Sequence, residues 1–318
     1  MRLLRNPNID FIGLRRYGYI FSGVTLVVGI LFVLIGGLHY GIDFKGGKEY
    51  VVRFAQPRSV ADVRSTLTPA LGKSPEVKTY GDDRTLLIRT DVEGDLNEIQ
   101  ARIIEALERT QPGNRPEVLS TSIVGPRFAA DLRKGALYSA IGSLIVIFLY
   151  IMIRFEWRFG LSALLTLAHD VIVVLGLFTI LEPITPFSIE ISQTIIAAFL
   201  TIIGYSVNDT VIIYDRIREY RNIFKTERLD VLINRAINAT LSRTIITSGT
   251  TLLVILVLFI FGGEALRGFA FALFLGIGLG TYSSIFVSSP FVYELYRYQQ
   301  RRAQSAVAVR STGPRARK

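Results

Sequence analysis

Residues 195–214 read "IIAAFLTIIGYSVNDTVIIY", an apolar stretch with one formal charge, Asp209. About 20 apolar residues cross a bilayer core as a helix, and this stretch has that length. A carboxylate at the bilayer centre costs about 2.5–3.5 kcal/mol on insertion scales, so it needs a reason. Asp209 is either wetted at the end of a span or buried for a purpose. The following "TVIIY" (210–214) favours burial.

The same apolar pattern recurs on both sides of this stretch. Tyr17–Ile42, Gly135–Ile153, Ile191–Asn208, Thr244–Gly263 and Gly268–Tyr293 carry no formal charge, and Phe159–Leu181 carries only Asp170. Runs of this length predict a membrane all-α bundle of six transmembrane helices. The first run is too long for a removable leader and lacks a small-residue cleavage site before "HYGIDF" (39–44), so it reads as an uncleaved span.

The net charge of +10 would suit nucleic acid if it were spread over a surface, but it is confined to particular loops. Arg2, Arg5, Arg15 and Arg16 precede the first span. Arg154 and Arg158 lie between the second and third. Arg216, Arg218, Arg221, Lys225, Arg228 and Arg235 lie between the fourth and fifth, and a basic tail to Lys318 follows the sixth. The opposite loops, "EPITPFSIE" (182–190) and "GGEALRG" (262–268), hold a single arginine. This is the positive-inside pattern, with both termini cytoplasmic and no nucleic-acid role.

The predicted layout is a cytoplasmic N-terminus (1–16) and spans at 17–40, 131–153, 159–181, 190–214, 243–262 and 268–293. A domain at 41–130 lies outside the membrane. A cytoplasmic amphipathic segment (215–242) joins spans four and five, and a cytoplasmic basic tail (294–318) ends the chain, with Arg310–Lys318 expected to be solvated and disordered. There are no cysteines, which excludes disulfides and thiolate metal sites.

The outer segment alternates strand and helix patterns. "EYVVRF" (49–54), "EVKTY" (76–80), "TLLIRT" (85–90) and "PEVLSTSIV" (116–124) read as strands, with a hairpin signal at Gly81–Arg84. Ser59 and Asp95 open two helix faces, with Asp62 and Glu98 at capping-box positions. The order β-α-β-β-α-β predicts a small α+β ferredoxin-like domain. "GIGLG" (276–280) in the last span spaces Gly276 and Gly280 for close helix packing.

Three ionisable groups fall within the spans. Arg243 opens the fifth span in "LSRTIITSGTTLL" (241–253). Alone it reads as a snorkelling anchor. If spans four and five are antiparallel neighbours, it can pair with Asp209, and Thr244, Thr247, Ser248, Thr250 and Thr251 surround it with hydroxyls. Burial and an arginine neighbour pull a carboxylate's proton affinity in opposite directions, so such a contact would switch it. Asp170, beside His169, is a second buried carboxylate that either braces the bundle or belongs to a relay. With only two histidines, a metal site is not expected. Phosphate-binding loops, serine-nucleophile elbows and zinc-helix motifs are absent, and no enzyme is expected.

Several of these segments, in order, resemble the SecD/SecF family of the bacterial protein-export machinery. They are "GIDFKGG" (41–47), "VGPRF" (124–128), "AHDV" (168–171), "GYSVNDTVIIYDRIRE" (204–219) and "NATLSRTIITSGTTL" (238–252). The resemblance implies a resistance-nodulation-division fold in the bacterial inner membrane. It implies pairing with SecD, association with the SecYEG channel and YajC, and an exported unfolded polypeptide as substrate. No cofactor is implied beyond the coupling ion, a proton or in some bacteria sodium. Asp209 and Arg243 match the family's proton-path residues. Asp170, Asn208 and Thr247 stand as candidates for relay or bracing. The family's further path carboxylate belongs to SecD, so this chain would hold only part of the relay. Gly41, Asp43, Gly46 and Gly47 mark a signature where tight turns would let the outer domain swing. The alternative function is half of a small-molecule or lipid exporter of the same superfamily, which would need a ligand cavity in the outer domain.

Overall fold

Backbone placed in lipid must satisfy its own N–H and C=O groups, which helices do. The computed structural model describes residues 7–185 and 187–312. In chain order the elements are α1 (Phe11–Gly36), a short α2 (Ile42–Lys45), β1 (Gly47–Arg53), α3 (Val60–Leu71), β2 (Glu76–Tyr80), β3 (Asp82–Thr90), α4 (Leu96–Thr110) and β4 (Glu117–Val124). Then follow α5 (Pro126–Arg154), α6 (Trp157–Leu181), α7 (Gln193–Ile223) and α8 (Leu229–Phe261). The last span is α9 (Gly263–Ser283), a π turn (Ser284–Ser288) and α10 (Ser289–Thr312). Among the described residues, six stretches are long and apolar enough to cross a membrane: α1, α5, α6, α7, α8 and the last span. The protein is a multi-pass membrane protein.

The helices overrun the uncharged runs. α1 starts at Phe11, inside the segment read as N-terminal tail, because the Asp10 carboxylate accepts from the Gly13 N–H at 2.8 Å and caps it there. The segment 215–242 is not a separate surface helix. α7 continues to Ile223 and α8 begins at Leu229, so the segment is two helix ends joined by a short break. Its apolar residues Ile217, Leu232, Ile233 and Ile237 pack with Phe11 and Tyr214 in one core. The tail is helical to Thr312, so 310–312 are helical rather than disordered; the rest of the stretch expected to be disordered, with Arg315, Arg317 and Lys318, lies outside the described residues, as do Arg2 and Arg5. Arginine, lysine and glutamate are good helix formers, so a charge marks where lipid ends and not where the helix ends.

The outer domain has the sheet order β2-β3-β1-β4, with every neighbouring pair antiparallel. That is the ferredoxin-like arrangement. Tyr50, Val52 and Phe54 point to one face, where α3 and α4 cover them with Val63, Leu67, Ile99, Ile103 and Leu107. The Ser59 hydroxyl accepts from Asp62 N–H and the Asp95 carboxylate from Asn97 N–H. The reciprocal halves of the capping boxes are not made, because Asp62 is held by Arg58 and Glu98 by Arg102.

Gly46 and Gly47 have φ of 77° and 122°, and a Cβ on Gly47 would lie 2.9 Å from the Thr90 carbonyl oxygen. Gly41, with φ of −71°, makes no such turn. The signature segment is tied down rather than free. Gly41 N–H donates to Ile191 C=O at 2.9 Å, Ile191 N–H to His39 C=O at 2.8 Å, and Gln193 N–H to the Asp43 carboxylate at 2.9 Å. The last bond caps α7 from outside its own sequence.

Candidate functional site

Asp209 lies on α7, buried to 1% exposure. Its Oδ2 accepts from Ser248 of α8 at 3.1 Å, and Thr281 of α9 donates to the Ser248 oxygen at 2.8 Å. Asp209 Oδ1 and the Thr244 hydroxyl, both buried, have no hydrogen-bond partner among the described residues. A carboxylate with one bound and one open oxygen, among hydroxyls, can take up and return a proton.

Among the described residues, Arg243 makes no ion pair with Asp209, whose bonded oxygen is held by Ser248; Arg243 is exposed on α8. Helix geometry explains this. At about 100° per residue, Ser248 and Arg243 are roughly 140° apart around the axis, so Ser248 faces Asp209 while Arg243 borders α7 only along the groove beside Val211 and Asp215. Thr244 and Ser248, four apart, share the inward face. Thr247 is half-buried and donates to its own backbone at Arg243 C=O (2.7 Å). Asn208 is exposed on α7. Arg243 and Thr240 line a groove of about 290 Å³ with Tyr150, Arg154, Val211 and Asp215.

Asp170 on α6 is also buried to 1%. Both of its oxygens are engaged: Oδ1 with His169 Nδ1 at 3.0 Å, and Oδ2 with the hydroxyls of Ser206 at 2.9 Å and Ser283 at 2.8 Å. It therefore joins α6, α7 and α9. Close approach of α9 to α7 makes this reach possible. A Cβ on Gly276 would lie 2.2 Å from Ile202 Cδ1, and one on Gly280 would lie 3.1 Å from Ser206.

The structure thus brings Asp209 and Asp170 into the interior and leaves Asn208 and Arg243 on the outer face. Sequence reasoning missed Ser206, Thr281 and Ser283 as partners. Ser206 stands three residues before Asp209, on the same helix face. The serine-rich "TYSSIFVSS" (281–289) in an apolar span was a readable signal for the other two.

Outside the membrane, Glu190 joins Arg89 at 2.6 Å and Lys78 at 2.8 Å, and these reach Glu49 and Glu182. Burial alone would raise the Glu190 carboxyl, but Arg89 and Lys78 outweigh it and hold it below the usual carboxylate range. Asp43 caps α7 beside this cluster. Charge pairs and backbone bonds together dock the domain on the α6–α7 connection.

The chain matches the family of protein export membrane protein SecD/SecF, C-terminal, over residues 103–298, and the SecD/SecF GG motif over residues 32–57. It is 56% identical to the protein translocase subunit SecF of Rhodothermus marinus, over 97% of this chain and 100% of that one. The SecF subunit of Haemophilus influenzae is 37% identical over 91% of this chain and 86% of its own. Among solved structures, SecDF from Thermus thermophilus, described as a translocon-associated membrane protein, superimposes with a TM-score of 0.82 at 36% identity. The match covers 92% of this chain and 39% of that longer one. A SecDF structure in a super-membrane-facing form gives 0.68 at 34% identity, over 96% of this chain and 41% of that one.

Proposed function

The chain belongs to the SecF branch of the SecD/SecF protein-export family, and from that premise we propose that it uses the proton-motive force to promote late steps of Sec-dependent translocation across the bacterial inner membrane. It acts as one half of a unit whose other half is SecD. One observation carries the reading. Asp209 is buried with one oxygen unpartnered, directly behind an uncovered polar face bearing Asn208 and Arg243. An arginine and an amide in apolar spans call for polar cover, and a second helical membrane subunit supplies it. SecYEG, YajC and the emerging unfolded polypeptide are the further partners. The arginine distribution supports cytoplasmic termini and an outer domain on the far side.

Proton movement needs no nucleotide. Each charge crossing 100 mV releases about 2.3 kcal/mol. The protein is not an enzyme and takes no cofactor beyond its coupling ion, for which sodium is the alternative. The exporter reading lacks support in the outer domain, whose interior is filled by Tyr50, Phe54, Leu67, Ile88, Ile103 and Leu107.

The test is complementation in cells lacking the native copy. Asp209→Asn and Arg243→Ala are expected to insert normally and to lose the part of export that depends on the proton gradient. Export at the wild-type rate by both would refute the proposal. Arg243 then acts from the outer face, across the interface, and not as a standing ion-pair partner of Asp209 within this chain.

A further inference from the structure

Asp170 and Asp209 are linked by a closed circuit of hydrogen bonds through α6, α7, α8 and α9. At one end, Ser206 of α7 and Ser283 of α9 donate to Asp170 Oδ2, at 2.9 Å and 2.8 Å. At the other, Ser248 of α8 donates to Asp209 Oδ2 at 3.1 Å, and Thr281 of α9 donates to the Ser248 oxygen at 2.8 Å. Short stretches of helix complete the circuit: Ser206 stands three residues before Asp209 on α7, and Thr281 two before Ser283 on α9. One of these bonds therefore crosses each of the interfaces α6–α7, α7–α8, α8–α9 and α9–α6.

Helix geometry and packing hold the circuit closed. Residues two apart on a helix point about 160° away from each other, so α9 turns Thr281 to α8 and Ser283 to α6. Gly280 lets α9 lie against Ser206; a Cβ there would stand 3.1 Å from the Ser206 Cβ and Oγ. Asp170, Ser206, Asp209, Ser248 and Ser283 are each 3% exposed or less, so each bond is stronger than it would be in water. His169 Nδ1, 3.0 Å from Asp170 Oδ1, holds the second oxygen and turns the first to the serines.

A brace between helices could sit at any depth. This one holds, on each of two helices, a residue within one turn of a group at Asp209: Ser206 beside Asp209 itself, and Ser283 beside Thr281. A single helical turn moves as a stiff piece, so a displacement of either serine is carried to the other end of the circuit. We infer that Asp170 is a positioning residue for proton transfer at Asp209. By fixing α7 and α9 from α6, it sets where Ser248 and Thr281 stand around the carboxylate that loads. This rests on the proton-coupled reading above. Asp170 itself neither gains nor loses a proton in this role; it accepts hydrogen bonds, and its worth to the transfer lies in the places it gives to other groups.

The test measures proton uptake under an imposed potential, in liposomes holding the full chain together with SecD. Asp170→Ala is expected to lower the flux about tenfold or more, because a small misplacement of a transfer partner is that costly. Asp170→Asn is expected to restore most of the loss: its amide oxygen accepts from both serines, and its amide nitrogen donates to His169 Nδ1. Ser248→Ala alone is expected to lower the flux about tenfold. With Ser248 already removed, Asp170→Ala is expected to add about twofold or less, since both act through one network. Losses that multiply to about a hundredfold would make Asp170 an independent brace and overturn the inference. So would wild-type flux in Asp170→Ala, or an Asp170→Asn as slow as Asp170→Ala. If Asp170→Ala fails to assemble, Ser283→Ala, which removes one bond of the circuit, takes its place in the same cycle with Ser248→Ala. The two proposals fail separately. Normal flux in Asp209→Asn removes proton coupling altogether. A dead Asp209→Asn beside multiplied losses in the cycle removes only the positioning role.

Discussion

Thr247 and Ser248 are adjacent in sequence, yet only Ser248 touches a carboxylate. Sequence gave depth in the membrane for both, through their distance from the charged end of the span. It did not give the angle around the axis, which one residue changes by about 100°. For the same reason Asp209 was legible as buried, from the apolar residues after it, while its partner was not. A hydrogen bond to a charged group is worth about 1.5–3 kcal/mol. Ser248→Ala is therefore expected to slow gradient-driven export by about tenfold or more. Thr247→Ala, which removes a bond to its own backbone, is expected to stay within about 0.5 kcal/mol of wild type. Export rates of the two variants, measured side by side, check this; the reverse order would mean that the outer face of α8 governs transfer.

At the scale of elements, six spans and the β-α-β-β-α-β order were readable because hydrophobic runs and periodicity carry them directly. Ends were not, since α7 and α8 persist into charged sequence with strong helix formers. The glycine spacing of α9 was legible as a packing signal, and the structure identifies what packs there. Gly276 admits Ile202, and Gly280 admits Ser206, the residue that reaches Asp170. Forcing bulk into such a contact costs about 1–3 kcal/mol or more. Gly276→Leu is expected to lower the melting temperature of the purified protein in detergent by several degrees. Gly23→Ala, with open space at its Cβ, is expected to leave it unchanged. Equal melting temperatures for Gly276→Leu and wild type would show that α9 and α7 are not held at this distance.

At the scale of the molecule, two bodies were legible and their junction was not. Glu190 meets residues of the outer domain more than a hundred positions earlier, Arg89 and Lys78. Nothing local marks such a pair. The Glu190 carboxyl is held below its unfolded value, near 4.3 for a free glutamate. Its contribution is therefore complete above that value and is lost as pH falls through the lower, folded one. Acidification below about pH 4 is expected to speed hydrogen exchange at Gly41 and Ile191 before the core of the outer domain opens. Glu190→Gln is expected to do so already at neutral pH. Exchange at those amides that is indifferent to both would mean that the backbone bonds alone hold the domain.

The Asp43 cap on α7 also bears on biogenesis. The carboxylate is made about 150 residues before the amide it receives, at Gln193. When the fourth span forms, its first turn finds its acceptor only if the earlier segment already lies beside it. A span that enters before that segment is in place meets water at this amide instead of the carboxylate. The bond therefore makes the first turn of the fourth span a late partner of an early segment, so the two ends of the junction are completed in the order in which they are made.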